Sequence, residues 1–402
     1  MKKYLSYAIA LAAVLTVACN KENPSVDQPG KGNTGLRSFT AYVDGADSKT
    51  VFGESADGKR KSWWSGTESI KVLSQGQNAV SFYTGDITNP SESATFNIAN
   101  GSTLGTGPWF AVYPHDANPS WTAGTTVTGL TLNPKQNAVK DGYEPANHFA
   151  IAYTENETLY FKNLVSFIKV TIDVDNISEI CIFGNNSENI AGTFSANWNN
   201  GDPTDIVGSE TYAKITNAGN NLAPGTYYVA VLPTNFTGGL TLEFISNGHK
   251  YQKKGTKPID LKRNTILDLG TTPKQCEFAV TGHFNNWSKD KDYVLPLYDT
   301  DGDDIYEAKN VKLNQGTDTD TQFKFFSPTR AEKQNWMGKY NDEYKTGSWY
   351  TVYSNSENTT NLYASSEYNW DIYLKQTASD YWGNTYKCCI VKAGDPMPSI
   401  NN

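Results

Sequence analysis

From Ser38 onward, apolar and polar residues alternate in short runs broken by turn formers. Ser38-Phe39-Thr40-Ala41-Tyr42-Val43 alternates and stops at Asp44-Gly45. Ser69-Ile70-Lys71-Val72-Leu73 repeats the pattern, and Ala79-Val80-Ser81-Phe82-Tyr83 follows a Gln-Gly turn. Trp109-Phe110-Ala111-Val112-Tyr113 is a fuller apolar run halted by Pro114. A period of two sends successive side chains to opposite faces of a pleated strand. Short strands at this spacing predict a sandwich or barrel. No stretch keeps a helical period long enough to predict a helix.

A second series starts near Leu159 and includes the apolar run Tyr160 to Ile172, then Tyr227 to Leu232 and Leu240 to Ile245. It closes at Thr265-Ile266-Leu267-Asp268-Leu269-Gly270, before a linker at Thr271-Thr272-Pro273-Lys274. Beyond it aromatics crowd: Trp287, Trp336, Trp349, Trp370 and Trp382 are five of the 10 Trp. The expected divisions are therefore 38–157, 158–270 and 274–402, all of β class.

Composition narrows the function. The 402 residues carry a formal net charge of -8, which disfavours nucleic acid as a partner because phosphates would be repelled. A charged fraction of only 19% with 13% aromatics argues against disorder.

The N-terminus sets the compartment. Lys2 and Lys3 precede an uncharged, mostly apolar run from Tyr4 to Ala18, shorter than the ~20 residues a helix needs to span hydrocarbon. It ends Leu15-Thr16-Val17-Ala18-Cys19, which resembles a bacterial lipobox, with Thr16 a departure. The resemblance implies that residues 1–18 are removed and that Cys19 carries acyl chains holding the protein to a membrane. An ordinary secretory signal with a chance Cys is the alternative. Residues 19–37, polar and rich in Gly, Pro and Asn, read as a flexible tether.

Three features resemble the fimbrillin family of Bacteroidetes fimbrial subunits: Lys49-Thr50-Val51-Phe52 leading to Trp63 or Trp64 and Ile70-Lys71-Val72; Pro108 to Pro114; and Leu261-Lys262-Arg263-Asn264-Thr265-Ile266-Leu267-Asp268-Leu269-Gly270. The likeness covers residues 38–270. It implies two transthyretin-like β-sandwich domains, a lipoprotein precursor at the outer membrane, and cleavage after an Arg near the first strand, here between Arg37 and Ser38. A neighbouring subunit's strand then fills the freed groove by β-strand addition. A plain solvated linker residue is the other reading of Arg37.

The last segment resembles the starch-binding modules of surface lipoproteins in Bacteroidetes starch-utilisation systems, through Gly282 to Trp287, Phe323-Lys324-Phe325, Trp336, Gly338 and Trp370-Asp371-Ile372-Tyr373-Leu374. An immunoglobulin-like sandwich that binds glycan without catalysis is implied. The residues agree: a rigid aromatic face stacks on the apolar face of a sugar while amides and cations bond its hydroxyls. Trp336, Tyr340, Trp349, Tyr350 and Lys333 are the candidate ligands, and Trp287 and Trp370 are expected in the core.

Other motifs are weaker. Asp299-Thr300-Asp301-Gly302-Asp303-Asp304 lacks the Gly and Glu positions of an EF-hand and reads as a solvated hairpin turn. The four His have no metal spacing, so neither metal nor other cofactor is expected. If the first and last strands of the third segment are neighbours, Cys276 could bridge to Cys388 or Cys389; buried free thiols are the alternative. The combined expectation is a non-enzymatic, surface-exposed fimbrial subunit and adhesin, placed at the tip because the residues after Val391 suit a long donor strand poorly. Its partners would be other fimbrial subunits and a cell-surface or dietary glycan. The alternative is a monomeric glycan-binding lipoprotein of a polysaccharide-uptake system.

Overall fold

The computed structural model describes residues 37–400 apart from 44–54, 57–58, 61–63, 65, 67, 86, 272–276, 291–292, 302, 314–319, 329–335, 340–344, 355–358 and 381–382. The protein is all-β: the described residues form strands and two short 3-10 turns, and none forms an α-helix. The segment expected to be a lipobox, Cys19 included, lies outside the described residues.

Seven strands close into a barrel: β1 (Ser38–Val43), β2 (Ser69–Ser74), β3 (Val80–Thr84), β4 (Ser93–Ile98), β5 (Trp109–Tyr113), β6 (Ala150–Thr154) and β7 (Thr158–Asn163), in the order β1-β7-β6-β5-β2-β3-β4 and back to β1. Closure removes the open edges that a sandwich would keep. The alternation read from sequence decides which residues point inward. Phe39 and Ala41 of β1, and Phe96 of β4, are wholly buried inside, while Thr40, Tyr42, Thr95 and Asn97 face out. Trp64 fills the interior, edge-on to Phe96, Tyr113 and Phe161.

β5 is buried along its whole length because both its faces are covered. Trp109, Ala111 and Tyr113 face the barrel interior, whereas Phe110 and Val112 join a second core with Ile151, Leu164 and Ile168. One wall of the barrel thus packs on the next part of the chain, whereas on the wall built from β3, β4, β1 and β7 the outward Tyr83, Tyr42 and Tyr160 are exposed and only the end of β7, at Asn163, meets that part, through Asn264 and Arg263.

The middle part holds a five-stranded sheet (His249–Lys254, Leu240–Ser246, Ile177–Gly184, Tyr212–Thr216, Lys135–Asn137) and two three-stranded sheets, one of Gly225–Val231, Ser166–Ile172 and Ile266–Thr271, the other of Asp202–Thr204, Gly192–Asn199 and Thr126–Leu132. Pairing crosses the expected division at 157/158. Thr126–Leu132 and Lys135–Asn137 bond to the middle part, and β7 belongs to the barrel. Gly129 sits at φ +76, and a Cβ there would lie 2.4 Å from the Asn118 carbonyl oxygen, so this crossover strand needs glycine.

The last part is a nine-stranded sheet of long hairpins, of which Trp370–Asp380 with Gly383–Lys392 is the longest. It locks to the middle part through buried polar contacts. Ser246 Oγ and Tyr298 Oη lie 3.1 Å apart, and the Tyr298 hydroxyl donates to Asn176 Oδ1 at 3.5 Å. Asn247 Nδ2 donates to the Val294 carbonyl at 3.0 Å, and Tyr251 donates to the Pro296 carbonyl. Phe244, Tyr251 and Tyr298 pack ring on ring around these bonds.

Candidate functional site

The first site follows from β1. The strand runs parallel to β7, with Thr40 opposite Thr158 and Tyr42 opposite Tyr160, and antiparallel to β4, with Ser38 opposite Asn97 and Tyr42 opposite Ser93. It is therefore bonded on both sides, and lifting it out would leave two unpaired edges and open the core at Phe39 and Ala41.

Arg37 precedes this strand. Its guanidinium lies 4.7 Å from the centre of the Trp109 ring, and its Nη1 donates to the Gly105 carbonyl at 3.3 Å. Its own carbonyl accepts from Ile98 N at 3.0 Å, so the Arg37–Ser38 bond already lies in the ladder. A protease that takes its substrate as an extended strand must first peel this segment away. A cut there leaves β1 attached to the barrel. Releasing β1 requires a cut on its C-terminal side, and of the four Arg in the chain only Arg60 lies between β1 and β2.

The C-terminal aromatics serve the fold they stand on. Trp349 donates its indole N–H to the Pro398 carbonyl at 2.7 Å and packs beside Ile305, Tyr373, Cys389, Val391 and Ile400. Trp336 is half-buried against Ala279, Val294 and Phe326, in a different apolar cluster, with Lys289 Nζ 4.6 Å and Lys324 Nζ 6.0 Å from its ring centre. Lys324 donates to the Thr359 carbonyl at 2.7 Å, and burial lowers its pKa from the ordinary lysine value. Tyr350 is half-buried against the main core. The two tryptophans form no common platform, and Tyr340 and Lys333 lie outside the described residues. Trp370 is core, 3% exposed, with its N–H on the Ser365 carbonyl at 2.9 Å; Trp287 is half-buried at φ +57.

The acidic turn connects strands Leu295–Leu297 and Ile305–Val311, where a hairpin was expected. Carboxylate oxygens of Asp299, Asp301 and Asp303 come within 4.8 Å of one another. Burial, then the neighbouring acids, raises the Asp303 carboxyl above its usual range. Cys388 is a free, buried thiol on Gly383–Lys392, a strand bonded to Tyr350–Ser354 and Trp370–Asp380. Its strand shares no ladder with the first strand of its module, Phe278–Gly282, but the two meet where the Phe278 and Tyr386 ring centres lie 5.5 Å apart; Cys276, the other half of the expected bridge, lies outside the described residues.

Sequence reasoning missed the open barrel wall. Tyr42 and Tyr160 stand side by side on β1 and β7, ring centres 5.3 Å apart and planes 19° apart. The outward alternation of each strand was readable, but nothing local announces that residues so far apart in the chain share a row.

No protein-family model and no curated protein sequence matches the chain. Among solved structures it is similar to a candidate cell-adhesion protein of Bacteroides ovatus (TM-score 0.37, 11% identity, 60% of this chain and 94% of that one). It is similar also to one of Bacteroides uniformis (0.36, 15%, 60% and 94%). A third is the tip fimbrial protein Mfa3 of Porphyromonas gingivalis with C-terminal truncation (0.24, 10%, 59% and 96%). At TM-scores below 0.5 these likenesses carry no functional argument.

Proposed function

We propose that this chain is a subunit and adhesin of a cell-surface fimbrium, joined to its neighbours by β-strand addition and delivered to the outer membrane on a lipid at Cys19. It carries out no reaction of its own. The observation that bears the reading is β1. The first strand of the described residues is held by ladders on both sides and supplies two fully buried side chains, Phe39 and Ala41. Such a strand is a plug that a strand of another subunit can replace residue for residue. Arg60 is the better processing point on this reading, because cutting there frees β1, whereas cutting at Arg37 trims only the tether.

The test is limited digestion of the full chain with an arginine-specific protease, followed by uptake of a fluorescent Ser38–Val43 peptide and of strand peptides from candidate stalk subunits. Digested protein takes up the peptides, Arg37→Ala behaves like the parent, and Arg60→Ala takes up none. Digested protein that binds neither its own strand nor any other sinks the assembly reading.

A further inference from the structure

We infer that the open wall of the barrel is a binding surface for neutral carbohydrate. This rests on the adhesin half of the function proposed above, and because its rows run through β1 it concerns the chain whose own first strand is still in place.

The wall is built from rows set by strand register. Ser93, Tyr42 and Tyr160 form one row across β4, β1 and β7; Thr95, Thr40 and Thr158 form the next; Tyr83, Asn97 and Ser38 form a third across β3, β4 and β1. These side chains point outward because their neighbours Phe39, Ala41, Phe96 and Leu159 point in. Tyr160 is 61% exposed although one side meets Tyr42, so its other side is open to solvent; Tyr83 is 45% exposed. The outer rows are four residues apart on β4, which separates the two aromatic stations by roughly 14 Å along the strands. Hydroxyl and amide groups fill the space between.

Beside the rows the surface is concave. A hollow of about 460 Å³ is lined by Ser93, Thr95 and Asn97 together with Thr84 at the end of β3 and Thr88 and Asn89 of the β3–β4 connection. None of the described residues lining it is charged. Open aromatic faces, dense uncharged hydrogen-bonding groups and a shallow hollow match a pyranose chain, which offers apolar C–H faces and a rim of hydroxyls. A protein partner would need a larger apolar centre than these tyrosines provide. The closed ladders leave this wall no free edge for strand addition.

The experiment uses the full, undigested chain. It is run through native gels containing amylopectin, galactomannan or xyloglucan and applied to an array of neutral oligosaccharides. At least one glycan retards or captures it. Tyr160→Ala and Tyr42→Ala each weaken that binding about tenfold or more, on the scale of a lost aromatic contact. Tyr160→Phe keeps most of it, and Thr95→Arg blocks the wall by bulk. Melting temperatures within a degree or two of the parent certify folding. Binding to none of the neutral glycans overturns the proposal, as does binding lost with Trp349→Ala but kept with Tyr160→Ala. So does a Tyr160→Ala effect that appears only as lost self-association in sedimentation. Failed peptide uptake after digestion, with glycan binding intact, counts against assembly alone.

Discussion

Phe39→Ala isolates how firmly β1 is held. Phe39 is fully buried and meets Phe82 edge-on at 5.3 Å and Trp109 at 5.5 Å. Truncating a core Phe costs about 3–5 kcal/mol, from lost transfer energy and the cavity left behind. If β1 opens as a unit of its own, that whole loss falls on its local equilibrium. The open state then rises by about 10²–10³-fold at the lower end of this range. Hydrogen exchange followed by mass spectrometry reads this directly. Peptides covering β1, β4 and β7 should exchange about 10²–10³-fold faster, while those covering Leu240–Ser246 keep the parent rate. The same variant, once digested, should take up strand peptide faster. Two outcomes refute the reasoning. A uniform rise that includes Leu240–Ser246 would mean that β1 leaves only with global unfolding. A rise below about fivefold, roughly 1 kcal/mol, would mean that the strand is not seated on its core residue.

Three further outcomes are expected. Burial first, and Asp301 in part, hold the Glu307 carboxyl above its ordinary value of 4.5 despite Lys309 and Thr300. A raised pKa favours the fold below pH 4.5 and costs stability as pH rises through the folded value, so Glu307→Gln should raise the calorimetric melting temperature at pH 7 and lose that advantage toward pH 4.5. Burial pushes the Cys181 and Cys389 thiols up to about 11 and the Cys388 thiol up as well. Iodoacetamide at pH 8 should therefore label them slowly in the native protein and fully after unfolding without reductant; a Cys388 protected in the unfolded, unreduced chain would reveal a disulfide. Tyr298→Phe removes the hydroxyl shared by Ser246 and Asn176 and should lower stability by about 1–3 kcal/mol in urea unfolding, with unchanged stability counting against a buried joint.

The strands themselves were largely legible. Ser38–Val43 and Trp109–Tyr113 lie where alternation and the Asp-Gly and Pro stops placed them, and Leu240–Ser246 differs from its expected run by one residue. Partnership was not legible. Period two tells which face of Thr126–Leu132 is apolar but not that its partner is Gly192–Asn199, so the crossing at 157/158 needed the structure. The same limit governs the sites. Trp349 follows Gly347-Ser348 and looks like a loop residue, yet its N–H partner, Pro398, is 49 residues away. The aromatic density near it was legible, but not that Trp349 and Trp336 fall in separate apolar clusters. The tyrosine wall, by contrast, carries no local density at all, since it is assembled from strands far apart in the chain.

The joint around Tyr298 has a mechanical consequence. Residues 272–276 connect the middle and last parts of the chain, but Ser246, Asn247 and Tyr251 grip the far side directly. Separating the two parts therefore means breaking several buried polar bonds together, whatever the length of the segment that joins them.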